Sequence, residues 1–248
     1  MLKQTHCNES PTESQISVLF SRDEKGKGRI SCGSVVVEDE RSERHKVGGE
    51  NMEHTTRQVG ILLFDEVEVL DFAGPFEVFS LARQPKSEFQ PFSVHTISEQ
   101  GKMIKARNGL LVQPGFSFAT APKLDILIIP GGYGAEEIEI NNKNLIAWIQ
   151  NQHKLGEITA SVCTGAFLLA KAGLLDGKRA TTHWMDLEQL AMDFPRIKVE
   201  RNSKFVDEGQ IITSGGIAAG IVMSLHIVKR LLGEEARQHT AKRMEYDI

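Results

Sequence analysis

The run Glu157-Ile-Thr-Ala-Ser-Val-Cys-Thr-Gly-Ala-Phe-Leu-Leu-Ala-Lys-Ala172 decides how this chain folds. Ile158 to Val162 has the pattern of a short buried strand, and Gly165 to Ala172 that of the first turns of a helix closed by Gly173. Cys163 falls on the sharp turn between them, where a side chain is lifted off a sheet and aimed at a helix N-terminus. Gly165 permits the close backbone packing such a nucleophile elbow needs. A thiol attacks as thiolate, and a helix N-terminus favours negative charge.

Magnitudes show what else the elbow requires. An unperturbed thiol is only about 3% ionised at neutral pH, and lowering its pKa by about 3 units takes about 4 kcal/mol. A helix terminus supplies about 0.3 to 2 kcal/mol, so N–H donors or a polar neighbour must supply the rest. A small buried core cysteine is the competing reading. The elbow favours a reactive residue.

Outward from this run, apolar strands alternate with helices. Strands are expected at Val59 to Phe64, Phe92 to Ile97, Leu110 to Gln113 and Asp125 to Pro130. Helices are expected at Phe72 to Arg83 with Pro75 in its first turn, Asn144 to Lys154 and Met185 to Asp193, then at Gly220 to Leu232 and Glu234 to Met244. Lys204 to Asp207 and Gln210 to Thr213 form a hairpin turned at Glu208-Gly209. Continuous apolar strands separated by helices make an α/β fold with a mostly parallel sheet covered on both faces. Ligands bind such sheets beyond the carboxyl ends of the strands, where the loops after Phe64, Gly131 and Cys163 converge.

Residues 1–57 differ: they are rich in Ser, Glu, Arg, Lys and Gly, with Phe20 as the one aromatic residue. Such a segment cannot bury a core and is expected to be disordered, ahead of one domain over residues 58–248. Met52, just before the first strand, is a candidate translation start. Among 248 residues the net charge of −4 gives no footprint for nucleic acid or an anionic membrane surface. Three cysteines without a C-x-x-C pair suggest neither a disulfide framework nor a zinc site. No long apolar run or signal h-region is present, so a soluble protein of a reducing cytoplasm is expected.

Four segments carry candidate chemistry. In Leu70-Asp-Phe-Ala-Gly-Pro-Phe-Glu-Val-Phe79, Asp71 reads as a helix N-cap, a proton-delivering acid beside the thiol, or both; Glu77 is its rival. In Gly131-Gly-Tyr-Gly134 the spacing matches no nucleotide fingerprint, so Gly131, Gly132 and Tyr133 are candidates to bind substrate. Their N–H groups, with that of Thr164, would form an oxyanion cradle; a tight turn is the competing reading. In Arg179-Ala-Thr-Thr-His-Trp184, His183 reads as the partner of a Cys–His pair or as a structural hydrogen-bonder. No nearby acid suggests a triad, and no ligand cluster suggests a metal. Thr213-Ser-Gly-Gly-Ile-Ala-Ala-Gly220 is a glycine-rich helix entry that could lend N–H groups to the pocket.

Together these segments, over roughly Gln58 to Ile248, resemble the ThiJ/PfpI superfamily of the class I glutamine amidotransferase-like fold. The runs LDFAGPFEVF, IIPGGYG, SVCTGAFLLAKAGLLDGKRATTHW and ITSGGIAAGI look most like isonitrile hydratases, and equally like the sensor domains of AraC-type regulators. The resemblance implies a flavodoxin-like three-layer sandwich that commonly dimerises and needs no cofactor. It places Cys163 as nucleophile, Thr164 beside it, Asp71 as acid and His183 at the active-site histidine position. An isonitrile hydratase would convert an isonitrile and water to an N-substituted formamide. Close relatives carry an acid where this chain has Val222. A glyoxalase, deglycase or peptidase, or an oxidation sensor at Cys163, would fit the same superfamily. For the regulator reading, the chain shows no basic recognition helix and no room after Met244 for two helix-turn-helix units, so direct nucleic-acid contact is not expected.

Overall fold

The computed structural model describes residues 55–247. The disorder expected for the N-terminal extension and the start at Met52 lie outside the described residues, apart from the last positions before the first strand. That strand, β1 (Arg57–Leu62), leads into α1 (Val69–Leu81) and β2 (Phe92–Ser98). Short pieces follow: β3 (Ile104–Lys105) pairs antiparallel with β4 (Leu111–Val112), and β5 (Phe116–Ser117) lies against β2. Next come β6 (Ile126–Ile129), α2 (Lys143–Leu155), β7 (Ile158–Val162) and α3 (Gly165–Lys171). Two-residue strands β8 (Arg179–Ala180) and β9 (Lys198–Val199) flank α4 (Leu187–Asp193). The chain closes with β10 (Phe205–Asp207), β11 (Ile211–Ser214), α5 (Ala219–Leu232) and α6 (Glu234–Arg243).

The main sheet runs β10-β11-β7-β6-β1-β2-β5, and every pair is parallel except the β10–β11 hairpin. All residues of β6 and β7 are buried, because helices cover both faces. α1, α5 and α6 pack together, while α2 packs on α3. The expected α/β sandwich with a mostly parallel sheet is therefore what the chain forms. Asn142 caps α2 by accepting the Asn144 and Leu145 N–H groups, and Gly233, at a φ of 92°, ends α5. Among the described residues no helix is long and apolar enough to cross a membrane.

One helix differs from its expectation in a way that matters. α1 begins at Val69, not Phe72, so Pro75 lies inside it and Asp71 in its first turn. Tertiary packing supports the extra turn at the N-terminus, which the proline had masked in the sequence.

The elbow depends on Gly165. A Cβ there would press on the Ile129 carbonyl oxygen and sit 2.8 Å from that of Pro130, both backbone atoms of β6 or its end. Gly165→Ala is expected to lose about 1 to 3 kcal/mol in a denaturant titration, since backbone cannot swing aside as a side chain can. Unchanged stability would show that β6 and α3 are free to separate.

Candidate active site

The loops leaving β1, β6, β7 and β11 converge at the carboxyl edge of the sheet, where the switch-point rule places ligands. Cys163 sits at the end of β7 with a φ of 56°. For a residue with a Cβ this left-handed conformation costs about 1 to 2 kcal/mol. Its surroundings hold it there: the Cys163 N–H lies 3.2 Å from both the Ser214 and the Gly215 carbonyl oxygens, and the Thr182 hydroxyl donates to the Cys163 carbonyl at 2.9 Å. The elbow expected from sequence is formed.

Asp71 is fully buried, and its role differs from the expected N-cap. Its Oδ2 accepts the Gly131 N–H at 3.0 Å and its Oδ1 the Ile217 N–H at 3.1 Å, so it ties two distant loops and caps nothing in its own helix. Its carboxyl also hydrogen-bonds the Cys163 side chain. The rival Glu77 is exposed. Ile217, one of the carboxyl's two donors, is a β-branched residue held at a φ of 57°, an outlier that marks a second strained loop.

The glycine run supports the site differently from the expected cradle. The Gly131 N–H is spent on Asp71, and the Gly132 N–H donates to Thr164 Oγ at 2.9 Å. Neither is therefore offered to a developing oxyanion. The glycines are there for approach: a Cβ on Gly131 would lie 2.5 Å from the Thr164 nitrogen, and Gly132 has a φ of 114°. The Thr164 N–H itself bonds the Cys163 sulfur. Tyr133 stands exposed beside them.

The electrostatics overturn the expectation of a resting thiolate. Burial, followed by the Asp71 charge, pushes the Cys163 thiol well above the ordinary thiol range; the Thr164 N–H opposes this, and Glu136 and Asp186 add to it. Burial likewise raises the Asp71 carboxyl from 3.8 to about 6, although its two backbone donors pull it down. A helix terminus worth about 2 kcal/mol at most cannot outweigh desolvation of a buried sulfur. At neutral pH the pair thus rests as a protonated thiol against a carboxylate poised to accept its proton.

Across Gly216 from the sulfur lies His183. Gly216 separates the two: a Cβ there would collide with the His183 ring and lie 3.1 Å from Cys163 Sγ. No hydrogen bond joins His183 to the sulfur, so the expected Cys–His pair is not formed. Instead His183 Nδ1 lies 3.1 Å from Asp186 Oδ2, an acid three residues on that the sequence reading passed over. The spacing His-x-x-Asp across a turn was the available signal. Glu136, whose half-buried carboxyl is raised by burial and bonds Thr164, was also missed, whereas Gly216 and Ile217 lie in the glycine-rich entry expected to lend N–H groups, and the Ile217 N–H does so to Asp71. His183, Trp184, Arg201, Gly216, Ile217 and Ala218 line a cavity of about 360 Å³. Among the described residues no cluster of three His, Cys, Asp or Glu could hold a metal.

Comparison with known proteins agrees with this architecture. The sequence pattern of the DJ-1/PfpI family matches residues 57–230. An isonitrile hydratase of Pseudomonas putida is 34% identical over 189 residues, covering 76% of this chain and 78% of that protein. The HTH-type transcriptional regulator GbdR of Pseudomonas aeruginosa is 31% identical over 72% of this chain but 48% of its own length, so the chain spans about half of that regulator. A ThiJ/PfpI family protein from Pseudomonas syringae has the same fold, with a TM-score of 0.70 at 24% identity over 83% of this chain and 84% of that one.

Two measurements test the electrostatics. Between 3.8 and about 6 the folded chain holds a proton on Asp71 that the unfolded chain has released. Stability therefore falls as pH rises through that window, by about 3 kcal/mol in full. In Asp71→Asn this component vanishes, so urea midpoints compared across the window should change less than in the native protein; an unchanged pH slope would contradict it. Secondly, iodoacetamide should label Cys163 about tenfold or more slowly than a free thiol at about neutral pH. Labelling at the free-thiol rate, followed on the Cys163 peptide by mass spectrometry, would mean that the sulfur is anionic at rest.

Proposed function

The chain belongs to the DJ-1/PfpI family, and from that premise we propose that it is a small-molecule hydratase that uses Cys163 as a covalent nucleophile on an isonitrile. The observation that carries this reading is the buried contact between the Cys163 thiol and the Asp71 carboxyl at the elbow. A carboxyl moved to about 6 is matched to shuttling a proton near neutral pH, a property that simple ligand binding does not require.

In this reading the Asp71 carboxylate takes the thiol proton as sulfur attacks the terminal isonitrile carbon. Asp71 then delivers the proton to that carbon, leaving a thioimidate, R–N=CH–S, on Cys163. The Thr164 N–H steadies negative charge on sulfur during attack and release. Water adds to the carbon, the C–S bond breaks, sulfur recovers a proton, and R–NH–CHO leaves. Atoms balance as isonitrile plus water, with no cofactor or metal. His183 lines the cavity from which substrate and water arrive, and Tyr133 stands at the exposed side of the glycine loop. Gly131 and Gly132 serve by shaping the loop. We read the working form as a homodimer in the cytoplasm.

A second reading, a ligand-sensing domain, is favoured by the likeness to the regulator GbdR over 72% of this chain. The expectation of no direct nucleic-acid contact gains no support from such a relative. In a sensor the same pocket would hold its ligand without consuming it. A glyoxalase, deglycase or peptidase remains a third class of chemistry at the same sulfur.

Purified protein offered an aryl isonitrile, methylglyoxal and a peptide separates these readings. The expected result is formamide from the isonitrile alone, lost by more than about a thousandfold in Cys163→Ala, since no covalent intermediate can then form. Turnover that survives Cys163→Ala sinks the nucleophile, and saturable binding of an isonitrile without product favours the sensor.

A further inference from the structure

The mechanism above leaves its second half without a base. Release of product needs a water to lose a proton while it attacks the thioimidate carbon. Asp71 is badly placed for this: it is fully buried, and both its oxygens already accept backbone N–H groups, from Gly131 and Ile217. His183 is better placed. Its ring lines the cavity and is separated from the sulfur only by Gly216, which has no side chain to stand between them.

The two ring nitrogens of His183 are not equivalent. Nδ1 faces Asp186 Oδ2 at 3.1 Å, and the two side chains are partly sheltered, at 20% and 30% exposure. A carboxylate can only accept, so Nδ1 carries the proton and donates it to Asp186. That leaves the lone pair on Nε2, for which no hydrogen-bond partner is found among the described residues. The short helix at Trp184–Asp186 makes this possible by turning the chain back, with the Asp186 N–H donating to the His183 carbonyl at 2.9 Å. Two contacts between His183 and Asp186, one through backbone and one through side chains, fix both the ring and its tautomer.

We propose that Asp186 is a positioning residue that holds His183 with its Nε2 lone pair available to the cavity, where it accepts a proton from the water that releases product. This rests on the hydratase reading for its chemistry, but the hold on the ring does not. As the water oxygen bonds to carbon, Nε2 takes one water proton and passes it to the imine nitrogen. The second water proton leaves oxygen for sulfur as the C–S bond breaks and the carbonyl forms. His183 ends neutral, and the thiol and Asp71 end as they began.

Asp186→Ala tests this with an aryl isonitrile as probe. Formation of the Cys163 adduct should proceed as in the native protein, while its hydrolysis slows about a hundredfold, so intact-mass spectrometry should find the adduct accumulating after a burst of one equivalent. Asp186→Glu should restore turnover to within about tenfold of native. Ring nitrogen chemical shifts should show the Nδ1–H tautomer of His183 in the native protein and its loss in Asp186→Ala. Native turnover in Asp186→Ala without adduct, or unchanged ring shifts, would overturn the proposal. If the native protein forms neither adduct nor formamide, the hydratase reading fails, while the ring shifts still decide whether Asp186 sets the tautomer.

Discussion

A buried carboxyl touching a buried thiol is the constraint around which the rest of this molecule is arranged. Neither group would choose to be charged there: desolvation raises both, and the Asp71 charge raises the thiol further, while the Cys163 side chain pulls the carboxyl back down. The contact persists because Asp71 is held at both oxygens by backbone N–H groups from two loops far apart in sequence. Those bonds join the ends of β6 and β11 to the first turn of α1. One side chain thus ties three segments together at the site.

Bringing these loops so close demands backbone with nothing attached. Gly131 lies against Thr164, Gly165 against the carbonyls of β6, and Gly216 between the His183 ring and the sulfur. Where a side chain is needed at such a place, strain appears instead, at Cys163 and Ile217, each with φ near 57°. Each strained residue delivers one polar or reactive group to the same point: a sulfur from one, an N–H from the other. Hydrogen bonds to Ser214, Gly215 and Thr182 secure the first of them.

Two titratable side chains near the elbow differ in their surroundings. Asp71 is fully buried, between the Gly131 and Ile217 N–H groups. His183 lines a cavity with Trp184, Arg201 and Gly216. The difference follows from topology: Asp71 lies in the first turn of α1, whereas the turn after β8 and the loop after β11 together wall the cavity.

The alternation of apolar runs with helices, the elbow at Cys163 and the stops at Gly173 and Gly233 were legible in the sequence, since each depends on local preference and periodicity. Asp71 and His183 were also visible as chemistry-bearing residues. Their partners were not. That Asp71 ties Gly131 to Ile217 instead of capping α1, that the Gly132 N–H is spent on Thr164, and that His183 turns to Asp186 instead of Cys163 depend on which loops meet at the sheet edge. The protonation state of the sulfur followed the same logic: local sequence predicts a helix terminus that favours thiolate, whereas burial and a neighbouring carboxyl, both products of tertiary packing, reverse it. Short-range preference determines where the chain turns; the dielectric and the partners of a side chain exist only once distant segments have closed around it.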